Sequence, residues 1–171
     1  MKCFILDVDG VLTTGQFLYT KEGNVMKIFG PDDADGLSLL SPYIGIRFVT
    51  GDRKGFGISH KRIVEDMKYP LDLVSPVKRI EWIQDLYDLK QVIYMGDGIF
   101  DQYVMKQVGY AIAPVNADKT AKESANFVTK RAGGERAVAE ACLHILNKYF
   151  KPYGSETLRD SLPELPGEWT I

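Results

Sequence analysis

The chain has 171 residues and a formal net charge of −2, and 45% of its residues are hydrophobic while 26% are charged. This size and composition are typical of a single globular domain. The near-neutral charge gives no electrostatic reason to expect nucleic acid or a membrane surface as a partner. No apolar run approaches the roughly 20 residues that span a bilayer, and the N-terminus leads into a predicted strand rather than a secretory signal. We therefore expect a cytoplasmic protein.

Predicted strands and helices alternate along most of the chain. The apolar run at residues 3–6 predicts a buried strand over about residues 3–8, and residues 17–19 and 25–29 flank a polar turn as the two strands of a β-hairpin would. The pattern then predicts helices at 33–41, 57–67, from Ser75-Pro76 onward, 101–108, 118–124 and 135–150, alternating with strands at 46–50, 71–74, 92–95, 110–113 and 127–128. This order indicates an α/β, Rossmann-like fold with a mainly parallel sheet and helices on both faces.

Residues 1–150 form one predicted domain, with the hairpin at about 16–29 as a small insertion. No insertion is long enough to form a large cap domain. Residues 151–171 differ in composition because they contain three prolines and several acidic residues. We predict a C-terminal tail there, and two states remain open for it, disorder or folding over the entrance of a neighbouring subunit.

Two carboxylates, Asp7 and Asp9, follow the apolar run of the first predicted strand and are followed by Gly10. Ligands bind at the carboxyl ends of strands in an open α/β sheet. Two like charges so close together become favourable beside a divalent cation, and one carboxylate can then act as a nucleophile while the other transfers protons. Taken alone, the pair also fits a simple capped turn.

Further polar groups follow two later strands and begin one helix. The hydroxyl of Thr50 and the amide of Gly51 can hold phosphate oxygens. Lys78, near a predicted helix start, can supply positive charge to a phosphoryl group. Asp97 offers a hard oxygen ligand for Mg²⁺, and Asp101 follows in the same segment. Each position alone also fits a turn or a solvated surface, but together they predict a phosphoryl-transfer site.

These residues resemble the four motifs of haloacid dehalogenase-superfamily phosphatases over roughly residues 2–150. The segment 7–13 (DVDGVLT) is similar to the first motif, Thr50 to the second, Lys78 to the third, and Gly96-Asp97 with Asp101 to the fourth. The hairpin and the segments 33–37 and 131–138 are most similar to a small capless branch. That branch contains phosphatases of 3-deoxy-D-manno-octulosonate 8-phosphate and of sialic-acid-type 9-phosphates.

The resemblance implies a Mg²⁺-dependent reaction through an aspartyl-phosphate. Asp7 would attack phosphorus, and Asp9 would protonate the leaving sugar oxygen and then activate water. The Asp7 carboxylate, the Asp9 backbone carbonyl and Asp97 would hold Mg²⁺. Thr50 would bind the phosphoryl group, and Lys78 would steady that group and Asp7.

Asp101 is implied to support the metal shell or Lys78. Three positions depart from the pattern of these relatives: Thr14 stands where aspartate is common, Asp52 interrupts a usual Thr-Gly-Arg run, and Gly98 stands where a second aspartate is common.

The implied substrate is a small acidic sugar phosphate, either 3-deoxy-D-manno-octulosonate 8-phosphate or a nonulosonate 9-phosphate. Gly51, Arg53 and Arg131 are candidates to bind its phosphate or carboxylate, although each arginine also fits an exposed surface charge. The resemblance also implies a homotetramer in which hairpins meet and neighbouring subunits wall the site. A solvated hairpin is the alternative.

Two other functions remain open. Related domains serve as non-catalytic oligomerisation modules attached to nucleotide-sugar synthetases, and that function predicts broken catalytic motifs. A phosphatase for another small phosphate ester would retain the same motifs and differ only in its substrate.

Overall fold

The computed structural model describes residues 1–154. Its strands are β1 (Cys3–Asp7), β2 (Leu18–Thr20), β3 (Gly23–Met26), β4 (Gly45–Thr50), β5 (Leu71–Leu73), β6 (Val92–Met95), β7 (Tyr110–Ala113) and β8 (Phe127–Val128). Six of them form one sheet in the order β5-β4-β1-β6-β7-β8, and every neighbouring pair is parallel. The predicted α/β fold class is confirmed.

Helices cover both faces of this sheet. They are α1 (Asp33–Leu40), α2 (Phe56–His60, continuing as a wider helical turn over Lys61–Asp66), α3 (Arg79–Leu86), α4 (Asp101–Met105), α5 (Lys119–Ser124) and α6 (Ala137–Tyr149). Side chains alternate between the faces of a strand, so Phe4 and Leu6 of β1 pack in a core cluster with residues of α1 and α6. Cys3 and Ile5 pack in the other cluster, with residues of α3 and α4. Burial on both faces explains why residues 3–6 of β1 are all apolar.

The order of the strands positions the predicted site. β1 lies between β4 and β6, so the segments that follow these three strands leave the sheet at one edge. Asp7 ends β1 and Thr50 ends β4, while Asp97 follows β6 within two residues. The topology therefore gathers residues that are up to about 90 positions apart in the sequence.

The hairpin is a separate two-stranded sheet in which β2 and β3 are antiparallel. Its second strand begins at Gly23, two residues earlier than predicted, because the turn is shorter than the sequence suggested. Many of its large apolar side chains are exposed, namely Phe17, Leu18, Tyr19, Val25, Met26 and Ile28.

The start of α3 also differs from the prediction. Ser75 precedes a short 3₁₀ turn, Pro76–Lys78, and its side chain makes no capping hydrogen bond. The α-helix itself begins at Arg79. The three-residue turn changes which side chains face the core, and this matters for the site.

The chain's last described helix, α6, ends at Tyr149. The predicted boundary at residue 150 stays a prediction, and the predicted tail lies outside the described residues from 155 onward. Over residues 1–154, none of the helices combines the length and the apolar character needed to cross a membrane.

Candidate active site

The segment after β1 is a tight loop over Val8–Leu12. The Val8 amide donates to Asp7 Oδ1 at 2.8 Å, which orients the carboxylate at the end of the strand. Gly10 has a φ of 92°, in the left-handed region that glycine adopts at little cost. A Cβ on Gly10 would lie 2.0 Å from Asp97 Oδ2. The missing side chain therefore lets the Asp97 carboxylate approach this loop.

The segment before α6 supports the other side of the same loop. A Cβ on Gly133 would lie 1.8 Å from the Gly10 carbonyl oxygen, so the two backbones are in direct contact. Asn116 joins them, because its Oδ1 accepts from the Gly133 amide at 2.8 Å and its Nδ2 donates to the Gly10 carbonyl at 3.4 Å. The loop that carries the predicted acids is thus held against the segment that leads into α6.

Three carboxylates converge beside this loop. Asp7, Asp97 and Asp101 each present an oxygen, and these oxygens lie within 4.8 Å of one another. Opposite oxygen ligands of an octahedral Mg²⁺ lie about 4.2 Å apart, because each Mg–O distance is about 2.1 Å. A set of three hard oxygen donors at this spacing fits a divalent cation. The predicted ligands Asp7 and Asp97 are both in the set.

Burial raises the pKa values of two carboxyl groups in this cluster, Asp97 and Asp7. Burial raises the pKa of Asp97 to about 8, and the charges of Asp7 and Asp101 add to the shift. Burial also raises the pKa of Asp7 to about 6, although the Arg79 guanidinium opposes that change. A divalent cation would favour the ionised forms and offset the repulsion between the carboxylates.

Arg79, the first residue of α3, binds the Asp7 carboxylate. Its Nη1 donates to Asp7 Oδ2 and its Nη2 to Asp7 Oδ1, both at 3.0 Å. This two-pronged geometry fixes the plane of a carboxylate as well as its position. Oδ1 also accepts from the Val8 amide, whereas Oδ2 keeps a second lone pair. The contact with Arg79 therefore does not exclude a metal ligand role for Asp7.

Asp101 connects Arg79 to the backbone that follows β6. Its Oδ1 accepts from Arg79 Nη1 at 2.7 Å and from the Tyr94 hydroxyl at 2.6 Å. Its Oδ2 accepts from the backbone amides of Asp97 and Gly98 at 3.0 and 2.8 Å. These contacts fit the predicted supporting role, with Arg79 rather than Lys78 as the cation that Asp101 holds.

Asp9 lies in a second cluster with its own cation. Thr50 Oγ1 donates to Asp9 Oδ2 at 3.0 Å, and Lys27 Nζ lies 2.7 Å from Asp9 Oδ1. Lys27 Nζ also lies 2.9 Å from Asp52 Oδ2. Thr50, predicted to hold the phosphoryl group, is therefore in direct contact with the predicted acid–base residue.

The prediction for Lys78 needs correction. Its side chain is 63% exposed and pairs with Glu81 at 2.9 Å, whereas Arg79 is buried against Asp7. The 3₁₀ turn places Arg79 on the same side of α3 as Ile83, four residues later and fully buried. Lys78 falls on the solvent side, which was the alternative that its sequence position left open.

Sequence reasoning missed Arg79, Lys27 and Tyr94. The i, i+4 spacing to the apolar Ile83 was a usable signal for Arg79. Lys27 gave no comparable signal, because it lies in an exposed hairpin and reaches its partners through tertiary structure. Tyr94 falls within an apolar strand, where a core side chain is the usual expectation.

The remaining predicted residues lie at the surface. Gly51, Arg53 and Arg131 are exposed, and within residues 1–154 neither arginine side chain contacts the acidic clusters. Arg131 lines a groove of about 450 Å³ between α1 and α6, which Leu39 and Leu143 also line. Their predicted role in substrate binding stays a prediction.

Comparison with known proteins identifies the family. A 3-deoxy-D-manno-octulosonate 8-phosphate phosphatase of Yersinia pestis is 30% identical over 168 residues, which cover 92% of this chain and 86% of the relative. The sequence profile of haloacid dehalogenase-like hydrolases matches residues 82–141. The chain belongs to the haloacid dehalogenase-like hydrolases. Within that family it resembles the octulosonate phosphatases, and it is a phosphoric monoester hydrolase.

Solved structures of this hydrolase family share the fold. The cobalt-bound octulosonate 8-phosphate phosphatase of Haemophilus influenzae has a TM-score of 0.74 at 26% identity and covers 86% of this chain and 88% of its own. The 3-deoxy-D-manno-octulosonate 8-phosphate phosphatase of Moraxella catarrhalis, solved in complex with a magnesium ion, a phosphate ion and a KDO molecule, has a TM-score of 0.76 at 24% identity over 95% and 93% of the two chains. At that identity the second similarity supports the fold alone.

Proposed function

We propose that the protein hydrolyses the phosphate monoester of an acidic sugar, either 3-deoxy-D-manno-octulosonate 8-phosphate or a nonulosonate 9-phosphate, with Mg²⁺ as its cofactor. The observation that carries the proposal is the cluster of Asp7, Asp97 and Asp101, whose oxygens lie within 4.8 Å of one another. Arg79 binds the Asp7 carboxylate, and Asp9 follows Asp7 by two residues in the same loop. The relative from Yersinia pestis, named for the octulosonate ester, supports the choice of sugar.

In the proposed first step, an Asp7 oxygen attacks phosphorus and the bond to the sugar oxygen breaks. Arg79 holds the carboxylate in a fixed plane, which orients an oxygen for in-line attack. Asp9 gives its proton to the departing sugar oxygen, so the sugar leaves as a neutral alcohol. The products of this step are the sugar and an aspartyl-phosphate on Asp7.

In the proposed second step, Asp9 takes a proton from a water molecule that attacks the phosphorus of the aspartyl-phosphate. The P–O bond to Asp7 breaks, phosphate leaves, and Asp7 and the protonated Asp9 are restored to their starting states. Bound through Asp7, Asp97 and the Asp9 carbonyl, Mg²⁺ would neutralise charge on the phosphoryl oxygens. Asp101 keeps Arg79 and the Asp97 amide in place during both steps.

Substrate binding in this proposal uses Thr50 and Gly51 for the phosphoryl group. Thr50 Oγ1 donates a hydrogen bond to Asp9 and accepts one from the Asp52 amide, each at 3.0 Å. When phosphate binds, the hydroxyl would rotate toward it or donate to both acceptors. Arg53 and Arg131 are exposed cations, and in this proposal they bind the sugar carboxylate.

We also propose a homotetramer in which the exposed apolar side of the hairpin is covered by neighbouring copies. Tyr19 and Met26 expose more than half of their surface, and apolar patches of this kind mark interaction sites in soluble proteins. Light scattering on the purified protein would test the assembly, and a monomer at micromolar concentration would contradict it.

The test of the activity is phosphate release with a panel of substrates, in Mg²⁺ and in EDTA. The panel contains the octulosonate 8-phosphate, nonulosonate 9-phosphates, and simple esters such as glycerol phosphate. We expect the highest kcat/KM for an acidic sugar phosphate and no turnover in EDTA.

The same panel separates the two alternatives. A preference for a neutral ester would favour a phosphatase with a different small substrate. No turnover of any ester, together with a stable oligomer, would favour the non-catalytic assembly module. The intact cluster of Asp7, Asp97 and Asp101 supports catalysis over that module.

A further inference from the structure

Lys27 is a buried cation contributed by the hairpin insertion. It follows β3 by one residue, and its side chain has no exposed surface. Its ammonium contacts Asp9 Oδ1 at 2.7 Å, Asp52 Oδ2 at 2.9 Å and Ser59 Oγ at 3.0 Å. Lysine is almost never fully buried unless it is paired, so this set of partners indicates a specific role.

The contacts fix Asp9 from two directions. Oδ2 accepts a hydrogen bond from Thr50 at the end of β4, while Oδ1 faces the Lys27 ammonium from the hairpin. Each carboxylate oxygen therefore has one partner, and the partners come from different parts of the chain. Rotation of the Asp9 side chain would break at least one of these contacts.

Asp52 holds Lys27 in turn. Its Oδ2 contacts the ammonium and accepts from Asn24 Nδ2 at 3.2 Å, while its Oδ1 accepts from the Gly55 amide at 2.9 Å. Burial opposes ionisation, yet the Gly55 amide and the Lys27 ammonium keep the pKa of Asp52 below its ordinary value. Asp52 is also the residue that interrupts the usual pattern after Thr50, so the interruption has a structural partner.

We propose that Lys27 is a positioning residue for Asp9, and that Asp52 anchors Lys27. This inference rests on the proposed phosphatase activity and on Asp9 as its acid and base. Lys27 would act through Asp9 and not on the substrate, because its ammonium is already occupied by two carboxylates and a hydroxyl.

Loss of the contact between Lys27 and Asp9 should affect substrates with different leaving groups to different extents. An alkyl oxygen, as in a sugar phosphate, must be protonated as it leaves, whereas p-nitrophenolate can leave without a proton. A misplaced Asp9 should therefore slow the first step for a sugar phosphate and leave release of p-nitrophenolate nearly unchanged. Damage to Asp7 or to phosphate binding would slow both.

The experiment compares Lys27→Met with the wild type in single turnovers, with enzyme in excess and Mg²⁺ present. The substrates are p-nitrophenyl phosphate and the sugar phosphate that the wild type hydrolyses fastest. We expect the rate for the sugar phosphate to fall about 30-fold, within the range that general acid catalysis contributes. The rate for p-nitrophenyl phosphate should stay within about threefold.

Two more variants of the hairpin complete the test. Lys27→Arg keeps the charge and should recover at least part of the sugar phosphate rate. Lys21→Met removes an exposed lysine of the same hairpin, whose side chain is 91% exposed, and should match the wild type on both substrates. Steady-state KM for the sugar phosphate should change little in Lys27→Met, because the loss is in kcat.

Asp52→Asn covers the case in which Lys27→Met does not fold. The amide can keep the hydrogen bond from Gly55 and loses the charge that holds Lys27, so the same selective loss should appear at a smaller, several-fold size. Equal slowing of both substrates in every folded variant, or no slowing of either, would overturn the inference. No turnover by the wild type on any ester would instead overturn the proposed function.

Discussion

The two acids Asp7 and Asp9 are held by different kinds of cation. Asp7 is fixed by Arg79, which begins a core helix and also contacts Asp101 and Tyr94 in the interior. Asp9 is contacted by Lys27, which comes from an inserted hairpin with exposed apolar side chains. The position of the proposed nucleophile therefore depends on the α/β core, whereas the position of the proposed acid–base residue also depends on the inserted hairpin.

The largest expected effect comes from removing the proposed nucleophile, Asp7. An amide cannot form the aspartyl-phosphate, so Asp7→Asn should lower kcat by at least about a thousandfold. Phosphate release with the preferred ester measures this loss. Asp85→Asn, which changes an exposed carboxylate of α3, is the matched control and should keep full activity. Appreciable turnover by Asp7→Asn would assign the nucleophile to another residue.

The next effect separates Arg79 from its neighbour Lys78. Arg79→Met leaves two buried carboxylates without their cation and should lower the free energy of unfolding by about 3–5 kcal/mol. Lys78→Met removes one exposed ion pair and should change it by less than about 0.5 kcal/mol. Urea denaturation of both variants measures the difference. Similar losses in the two would show that the core does not depend on Arg79 as the structure indicates.

The smallest effect is a dependence of stability on pH in the metal-free protein. Asp97 has a pKa of about 8 when folded, against 3.8 for the free side chain, so between these values the folded state binds more protons than the unfolded state. Stability must then fall as pH rises. The pKa values of Asp7 and Asp33 are raised only to about 6. The change in stability between pH 6.5 and 8 therefore depends mainly on Asp97.

In EDTA we expect the melting temperature to fall by roughly 4 °C across this window. Asp97→Asn should reduce that slope, because the amide does not titrate. Added Mg²⁺ should raise the melting temperature most at pH 8, where ligand protonation competes least. A wild-type melting temperature that rises over the same window in EDTA would contradict the carboxylate cluster.

Much of the fold could be predicted because the strands are short apolar runs and the helices have apolar stripes. Residues 92–95, 110–113 and 127–128 were predicted with the bounds that the structure has. The start of α3 was not, because a serine and a proline indicate a helix start without showing that a 3₁₀ turn comes first. Because of this turn, the buried cation is Arg79 and not the predicted Lys78.

The candidate site was predictable where its residues follow strands. Asp7, Thr50 and Asp97 were expected at one edge of the sheet because parallel strands end there. Lys27 and Asp52 could not be found in this way, since the hairpin is an insertion and its contact with the loop after β4 is tertiary. Asp52 was noticed only as a departure from the family pattern.

The contact between Gly10 and Gly133 has a consequence for how the protein is made. These residues are more than about 120 positions apart, and the loop bearing both early acids rests against the segment that leads into α6. The ribosome therefore releases Asp7 and Asp9 long before it releases the backbone that encloses them. A nascent chain that stops short of Gly133 carries every acid of the pocket, yet its first loop lacks one of its walls.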